Sequence, residues 1–166
     1  MNTVKLKDRI TINLKGEMPR LNTVAKDFSL VKSDLSDVVL SEFKGKKVVL
    51  NVFPSLDTEV CAASVRRFNL LAAGKENVAV LAVSMDLPFA MGRFCTVEGI
   101  NNVIPVSGFR SGFGFDYGVE MADGPLAGLY ARSVFVIDEK GKVKYVQLVP
   151  EITREPDYEA ALAALG

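Results

Sequence analysis

The chain has 166 residues, of which 49% are hydrophobic and 24% charged, and this composition excludes an intrinsically disordered protein. Twenty Lys and Arg residues balance twenty Asp and Glu residues, so the chain lacks the basic excess that is typical of a nucleic-acid-binding protein. Its apolar runs are far shorter than the about 20 residues that a membrane helix requires, and its first residues lack the apolar core of a signal peptide. We therefore expect one soluble, cytoplasmic domain over residues 1–166 that binds neither nucleic acid nor membrane.

Two residue types restrict the chemistry that this chain can perform. It has no histidine, which excludes Ser-His-Asp and Cys-His hydrolases and most zinc sites. Its two cysteines, Cys61 and Cys95, are too few for a four-ligand zinc site or for the disulfide framework of a small secreted protein. They are therefore either inert core residues or redox-active thiols, and we expect neither a metal nor a cofactor.

The N-terminal part of the chain has the pattern of short strands. Apolar residues alternate with polar ones from Val4 to Leu14, which predicts a hairpin over about residues 1–16 that turns at Lys7–Arg9. Two more short strands are expected around Phe28–Leu30 and Val38–Leu40.

In the middle of the chain, apolar strands alternate with helical patterns. The predicted elements are strand Lys47–Phe53, a helix from about Thr58 to Ala73, strand Val78–Ser84, a helix that carries Cys95 and has Asp86 as its N-cap, and strand Asn102–Val106. Buried strands that alternate with helices in this way indicate a central sheet that is covered on both faces.

The last third of the chain predicts a loop, a hairpin and a helix. Residues 107–118 form a glycine-rich loop with aromatic anchors, and strands Ser133–Asp138 and Lys142–Val149 flank a turn that ends in glycine. An alanine-rich helix over Pro156–Leu165 closes the chain. The whole order predicts an α/β thioredoxin-like fold with a central mixed β-sheet flanked by helices and an N-terminal β-hairpin extension.

Cys61 lies shortly after a buried strand that ends at Pro54, in the first turn of the predicted helix. Free backbone N–H groups and the positive end of the helix dipole face a side chain at that position. Thr58 precedes it by three residues, on the same helix face, so its hydroxyl is within reach of the sulfur or of a substrate. Free cysteines are most often buried hydrophobes, but functional sites in open α/β sheets lie beyond the carboxyl ends of strands, which favours a reactive thiol.

The spacing Pro54-x-x-x-Thr58-x-x-Cys61 resembles the peroxidatic-cysteine signature of the peroxiredoxins, and the run Phe53–Asn69 (FPSLDTEVCAASVRRFN) is similar to their thiol peroxidase subfamily. Further similar segments are Asp86–Cys95, Ala122–Leu126, Arg132–Asp138 and Glu155–Ala160. The resemblance covers nearly the whole chain and includes a second cysteine, as in the atypical two-cysteine peroxiredoxins.

This resemblance implies a role for each of five residues. Cys61 would be the peroxidatic cysteine and Cys95 the resolving cysteine of the same subunit, while Thr58, Arg132 and Pro54 would complete the peroxide site. It also implies that the substrates are hydrogen peroxide and alkyl hydroperoxides, that thioredoxin is the reductant, and that the chain forms a homodimer.

The chemistry requires a cation beside the thiol. A free thiol with a pKa of about 8.5 is roughly 3% thiolate at pH 7, and the typical 0.3–1 kcal/mol from a helix N-terminus is too little to ionise it fully. Without histidine the second cation is Lys or Arg, and Arg132 is the natural candidate. Full ionisation gains only about 30-fold, so the larger acceleration comes from donors aimed at the departing oxygen.

Two functions other than peroxide reduction are compatible with a reactive cysteine on this fold: disulfide exchange and peroxide sensing. A thioredoxin-like disulfide oxidoreductase has a Cys-x-x-Cys motif after the first buried strand, whereas Ala63 and Ser64 follow Cys61 here. Such a protein also has a proline before the later strand, where this chain has Ala131-Arg132. A peroxide-sensing redox relay, which passes oxidation to a partner, stays open as an added role.

Overall fold

The computed structural model describes residues 2–166 and contains ten strands and four α-helices. The strands are β1 (Thr3–Leu6), β2 (Ile10–Lys15), β3 (Ser29–Lys32), β4 (Asp37–Val39), β5 (Lys47–Val52), β6 (Val78–Ser84), β7 (Ile104–Ser107), β8 (Glu120–Met121), β9 (Ser133–Ile137) and β10 (Val143–Leu148). The helices are α1 (Glu59–Ala72), α2 (Pro88–Glu98), α3 (Phe113–Asp116) and α4 (Tyr158–Ala163). No helix of residues 2–166 is long and apolar enough to cross a membrane.

Seven strands form the central sheet in the order β10-β9-β5-β6-β7-β3-β4. The β5–β6 and β6–β7 pairs are parallel, whereas β9, β10, β3 and β4 join antiparallel. The mixed sheet predicted from the sequence is therefore confirmed. The interior strand β5 runs antiparallel to β9, so the end of β5 lies beside the start of β9, with Val52 opposite Ser133.

Both faces of this sheet are covered, because alternate residues of β5 point to opposite sides. Val49 packs with buried residues of α1, α2 and α4, among them Phe68 and Met91. Val48 and Leu50 belong to the other face. A cluster of aromatic rings fills that face, made up of Phe28, Phe113, Tyr117, Tyr130 and Phe135.

The N-terminal hairpin is present as predicted and belongs to a second, three-stranded sheet in the order β1-β2-β8. Strand β8 has only two residues, too few to show an alternating pattern, and was therefore not predicted. Lys7 and Asp8 form the turn between β1 and β2, both with a φ of +53°. Val4, Ile12 and other apolar residues of this sheet pack into a small core of their own.

The glycine-rich segment differs from its prediction because it includes the short helix α3. Its glycines have a steric reason. A Cβ atom at Gly108 or at Gly114 would overlap the ring of Tyr130, which is fully buried beneath this segment. The segment therefore needs glycine in order to close over an aromatic side chain.

The prediction that Asp86 caps the second helix is wrong. The N-cap of α2 is Leu87, without a side-chain hydrogen bond, and the carboxylate of Asp86 points elsewhere. It accepts hydrogen bonds from Ser55 Oγ (2.7 Å), the backbone N–H of Leu56 (2.8 Å) and Ser84 Oγ (2.7 Å). Asp86 therefore ties the segment after β5 to the end of β6 instead of starting a helix.

Candidate functional site

Cys61 is the third residue of α1 and its side chain is completely buried. The helix starts there because Thr58, in extended conformation, is its N-cap and its carbonyl accepts the N–H of Ala62 (3.0 Å). No side chain caps this helix start among the described residues. The first-turn N–H groups and the positive end of the helix dipole are therefore available to an anion.

Arg132 is the residue just before β9, and the β5–β9 pairing brings it beside the end of β5. Its side chain is only 1% exposed. Nη2 donates to Cys61 Sγ at 3.2 Å and Nε donates to the carbonyl of Ile152 at 2.9 Å, whereas Nη1 has no partner among residues 2–166.

No carboxylate of the described residues forms an ion pair with Arg132. A buried cation without a counter-ion is energetically costly, so a nearby group that can become an anion is stabilised in that form. Cys61 is such a group, since its sulfur accepts a hydrogen bond from this guanidinium. The contact therefore places a cationic hydrogen-bond donor directly on the sulfur, the atom that acts as the nucleophile in thiol chemistry.

A cavity of about 330 Å³ is lined by Arg132, while the buried Cys61 lies behind its wall and is not itself a lining residue. Pro54, Thr58 and Arg132 contribute to its wall, so three of the residues singled out in the sequence meet at one cavity. The rest of the wall is mainly apolar and consists of Leu6, Val60, Leu126, Leu129 and Ile152, with a few polar neighbours. The Thr58 hydroxyl donates to the carbonyl of Ser55 (3.0 Å), which leaves its oxygen able to accept a hydrogen bond.

Cys95 lies on α2, outside the residues that line this cavity. Its side chain is partly exposed, and its partial burial raises the pKa of its thiol. Both cysteines are free thiols. A bridge between Arg66 of α1 and Glu98 of α2 (3.5 Å) links the two helices that carry them.

Two buried polar residues, Ser64 of α1 and Asn51 of β5, were not singled out in the sequence. Ser64 Oγ donates to the carbonyl of Cys61 (2.8 Å), and Asn51 Nδ2 donates to Ser64 Oγ (3.2 Å). Both residues are fully buried. An amide in the middle of the apolar strand Lys47–Val52 was the available signal, because a buried polar side chain needs a partner.

A second cavity and the acidic side chains are the other candidate sites, and among the described residues neither has a comparable arrangement of reactive groups. A larger cavity of about 400 Å³ lies at the opposite end of β5, near Val48, and Arg132 is not among the residues that line it. Within residues 2–166, no group of three or more Cys, Asp or Glu side chains is placed to hold a metal ion. Among the described residues, the arrangement suited to nucleophilic chemistry is thus the buried thiol of Cys61 with its guanidinium donor Arg132, which also lines an apolar cavity.

Known proteins of similar sequence and structure point the same way. The Redoxin family model matches residues 20–162. A thiol peroxidase of Corynebacterium glutamicum is 59% identical over 151 residues, which is 91% of this chain and 92% of that protein. A thiol peroxidase of Mycobacterium tuberculosis is 56% identical over 155 residues, or 93% of each chain.

Solved structures agree on the fold. A peroxiredoxin-like protein from Aquifex aeolicus superposes with a TM-score of 0.92 at 43% identity and covers 99% of this chain and 96% of its own. A thiol peroxidase from Chromobacterium violaceum superposes with a TM-score of 0.90 at 20% identity, over 98% of this chain and 95% of its own, and shows the fold alone.

Proposed function

Since the chain belongs to the Redoxin family and is a thiol-dependent peroxidase of the peroxiredoxin type, we propose that Cys61 is its peroxidatic cysteine. The observation that carries this proposal is the 3.2 Å hydrogen bond from Arg132 Nη2 to Cys61 Sγ inside the protein. Cys95, by contrast, has no such donor in the described structure, and burial shifts its thiol toward the neutral form.

In the proposed first step, the Cys61 thiolate attacks one oxygen of a hydroperoxide and the O–O bond breaks. The sulfur becomes a sulfenic acid, and the departing oxygen leaves as hydroxide or alkoxide, which takes up a proton to give water or an alcohol. Negative charge thus develops on the departing oxygen. Arg132 Nη1, which is unpartnered within residues 2–166, is free to donate to that oxygen, and the Thr58 hydroxyl lies on the same cavity wall.

In the second step, the thiol of Cys95 condenses with the Cys61 sulfenic acid. An intrasubunit disulfide forms and one water leaves, which protects Cys61 from over-oxidation to sulfinic acid. A dithiol reductant then returns both residues to thiols by disulfide exchange and is itself oxidised to a disulfide. Following the family resemblance, we assign this reductant as thioredoxin.

The cavity supports alkyl hydroperoxides as substrates in addition to hydrogen peroxide. Its wall is largely apolar, through Leu6, Leu126, Leu129 and Ile152, whereas hydrogen peroxide has no apolar part to bury. An alkyl group in this cavity would lose water-exposed surface, which contributes about 25 cal/mol per Å². Pro54 closes the wall near the thiol and shields it from water.

Four further properties belong to this proposal. A single domain over residues 1–166 and a cytoplasmic location rest on length and composition, whereas a homodimer and recycling by thioredoxin rest on the resemblance.

Peroxide consumption coupled to thioredoxin, thioredoxin reductase and NADPH tests the function. We expect repeated turnover by the wild type and none by Cys61→Ser. Turnover that stops after one equivalent of peroxide in the presence of thioredoxin would instead indicate a stoichiometric redox relay. Reduction of a protein disulfide without peroxide, at a rate comparable to peroxide turnover, would indicate a disulfide oxidoreductase.

A further inference from the structure

The guanidinium of Arg132 is held in place by a backbone carbonyl from a distant segment. Its Nε donates to the oxygen of Ile152 at 2.9 Å, and this bond fixes the plane in which Nη2 reaches Cys61 Sγ. A guanidinium is planar and rigid, so a shift of its Nε partner moves its other two nitrogens together. The position of the Ile152 carbonyl therefore governs the contact with the sulfur.

The N-terminal hairpin holds the segment that contains Ile152. The N–H of Lys5 donates to the carbonyl of Pro150 (2.8 Å), and the N–H of Ile152 donates to the carbonyl of Lys5 (2.9 Å). Lys5 and Glu151 form a parallel bridge between these two hydrogen bonds. Strand β1 is thus paired with residues 150–152 and carries them along if it moves.

Glu151 fastens this pairing to the hairpin turn. Although only 4% exposed, its carboxylate accepts the N–H groups of Lys7 (3.0 Å) and Asp8 (2.9 Å) and both the N–H (3.1 Å) and the hydroxyl (2.7 Å) of Thr153. Burial raises the pKa of this carboxyl, but these hydrogen bonds outweigh burial and lower the pKa to about 2. The turn that it holds has two non-glycine residues at positive φ, a conformation that needs such support.

We propose that Glu151 is a positioning residue for the chemistry of Cys61, acting through the Ile152 carbonyl and Arg132, so that the N-terminal hairpin is part of the catalytic apparatus. This inference rests on the proposed function. A carboxylate that only stabilises the fold would affect the unfolding temperature without acting through Arg132. A positioning residue also changes the thiolate fraction of Cys61 and the rate of peroxide attack.

The variant Glu151→Gln keeps the side-chain shape but replaces one acceptor oxygen by an amide donor that faces N–H groups. We expect it to slow the single-turnover reaction of Cys61 with peroxide by about tenfold and to shift the pH midpoint of Cys61 alkylation upward. In an Arg132→Lys background, the same change should cost less than about twofold, because coupled residues are not additive. Glu139→Gln, in the β9–β10 turn, is the matched control and should keep the wild-type rate in both backgrounds.

Each result decides the proposal. Equal losses from Glu151→Gln in both backgrounds, or an unchanged rate and alkylation midpoint, would overturn it. If Glu151→Gln does not fold, Thr153→Val removes only the 2.7 Å hydroxyl bond and should show a smaller, equally Arg132-dependent loss. If the proposed peroxidatic role of Cys61 itself were wrong, the result would be distinguishable, because Cys61→Ser would then keep peroxide turnover.

Discussion

Arg132 Nη2 lies 3.2 Å from Cys61 Sγ although 71 positions separate the two residues in the chain. The sheet creates this proximity. Strand β5 leads into the segment before α1, and its antiparallel partner β9 starts one residue after Arg132. A buried thiol and a buried cation therefore meet at one end of two paired strands, and the cation also lines an apolar cavity.

Arg132→Lys tests whether the guanidinium does more than supply charge. Lysine keeps the positive charge but loses the planar fork, so it cannot contact the sulfur and the departing oxygen with fixed, separate donors. We expect the single-turnover rate with peroxide to fall by about 10²-fold, with a smaller effect on the pH midpoint of Cys61 alkylation. Equal single-turnover rates for the wild type and Arg132→Lys would show that the positive charge alone is sufficient and that the planar guanidinium is not needed.

The role of Cys95 is separable from that of Cys61. In Cys95→Ser the first step is intact, so one equivalent of peroxide should be consumed at the wild-type rate when no thiol is added. The sulfenic acid then has no internal partner, and further peroxide should convert it to sulfinic acid. Quenched-flow mass spectrometry would show a gain of one oxygen atom and then of two. A Cys95→Ser enzyme that turns over with thioredoxin as fast as the wild type would contradict the resolving role.

Leu129→Ala tests the apolar wall as the determinant of alkyl substrates. The change removes apolar surface from the cavity, and we expect kcat/KM for a bulky aryl-alkyl hydroperoxide to fall by up to about tenfold. The rate with hydrogen peroxide should stay within about twofold, because hydrogen peroxide makes no apolar contact. The matched control is Leu70→Ala, an exposed leucine of α1 outside the cavity. An equal loss for both peroxides would argue against a binding wall.

The strands with a clear apolar pattern could be predicted from the sequence, whereas polar contacts between distant parts of the chain could not. The apolar runs Lys47–Val52 and Val78–Ser84 are buried on both faces, so composition alone marks them as central strands. The sequence predicts Asp86 as an N-cap because an acid shortly before a proline is typical of a helix start, and only the fold shows that two of its partners lie 30 positions away on Leu56 and 31 away on Ser55.

The candidate site shows the same division. Cys61 and Thr58 stand close together in the chain, and their spacing relative to a strand end gives a local signal. The hydrogen bond from Arg132 Nε to the Ile152 carbonyl could not be predicted from the sequence, because a backbone carbonyl of any residue could accept it. The sequence around Glu151 likewise gives no sign of its role, because two of the N–H groups that it accepts belong to the distant hairpin turn at Lys7 and Asp8.

The pH dependence of stability should reveal the hydrogen bonds of Glu151. Its carboxyl has a folded-state pKa of about 2, below its ordinary value of 4.5, so its contribution is complete above about pH 4.5 and is lost as the pH falls toward 2. The free energy of unfolding in urea should therefore differ most between wild type and Glu151→Gln at neutral pH, and the difference should shrink between pH 4.5 and 3. The difference for Glu139→Gln should lack this trend. A constant difference for Glu151→Gln down to pH 3 would contradict the prediction.

A Cys61–Cys95 disulfide requires a movement of the segments that carry the two cysteines. The structure has two free thiols, one buried at the start of α1 and one partly exposed on α2. A disulfide needs Cα atoms within about 4.4–6.8 Å and suitably directed Cβ atoms. The buried Cys61 sulfur faces its donor Arg132 and not Cys95. We therefore expect one or both helix segments to unwind on oxidation, so that the two sulfur atoms can meet.

The structure indicates where unwinding costs least. The start of α1 has no side-chain cap among the described residues, Cys95 lies in the last turn of α2, and helix ends open at low free energy. We therefore expect residues 57–61, residues 92–99, or both, to lose hydrogen-exchange protection in the oxidised enzyme, while β5 and β6 keep theirs. Peroxide-treated Cys95→Ser is the control and should keep the protection of the reduced form, because no disulfide pulls the segments together. Unchanged exchange in the oxidised wild type, or a disulfide that links two subunits on a non-reducing gel, would refute local unwinding as the route to resolution.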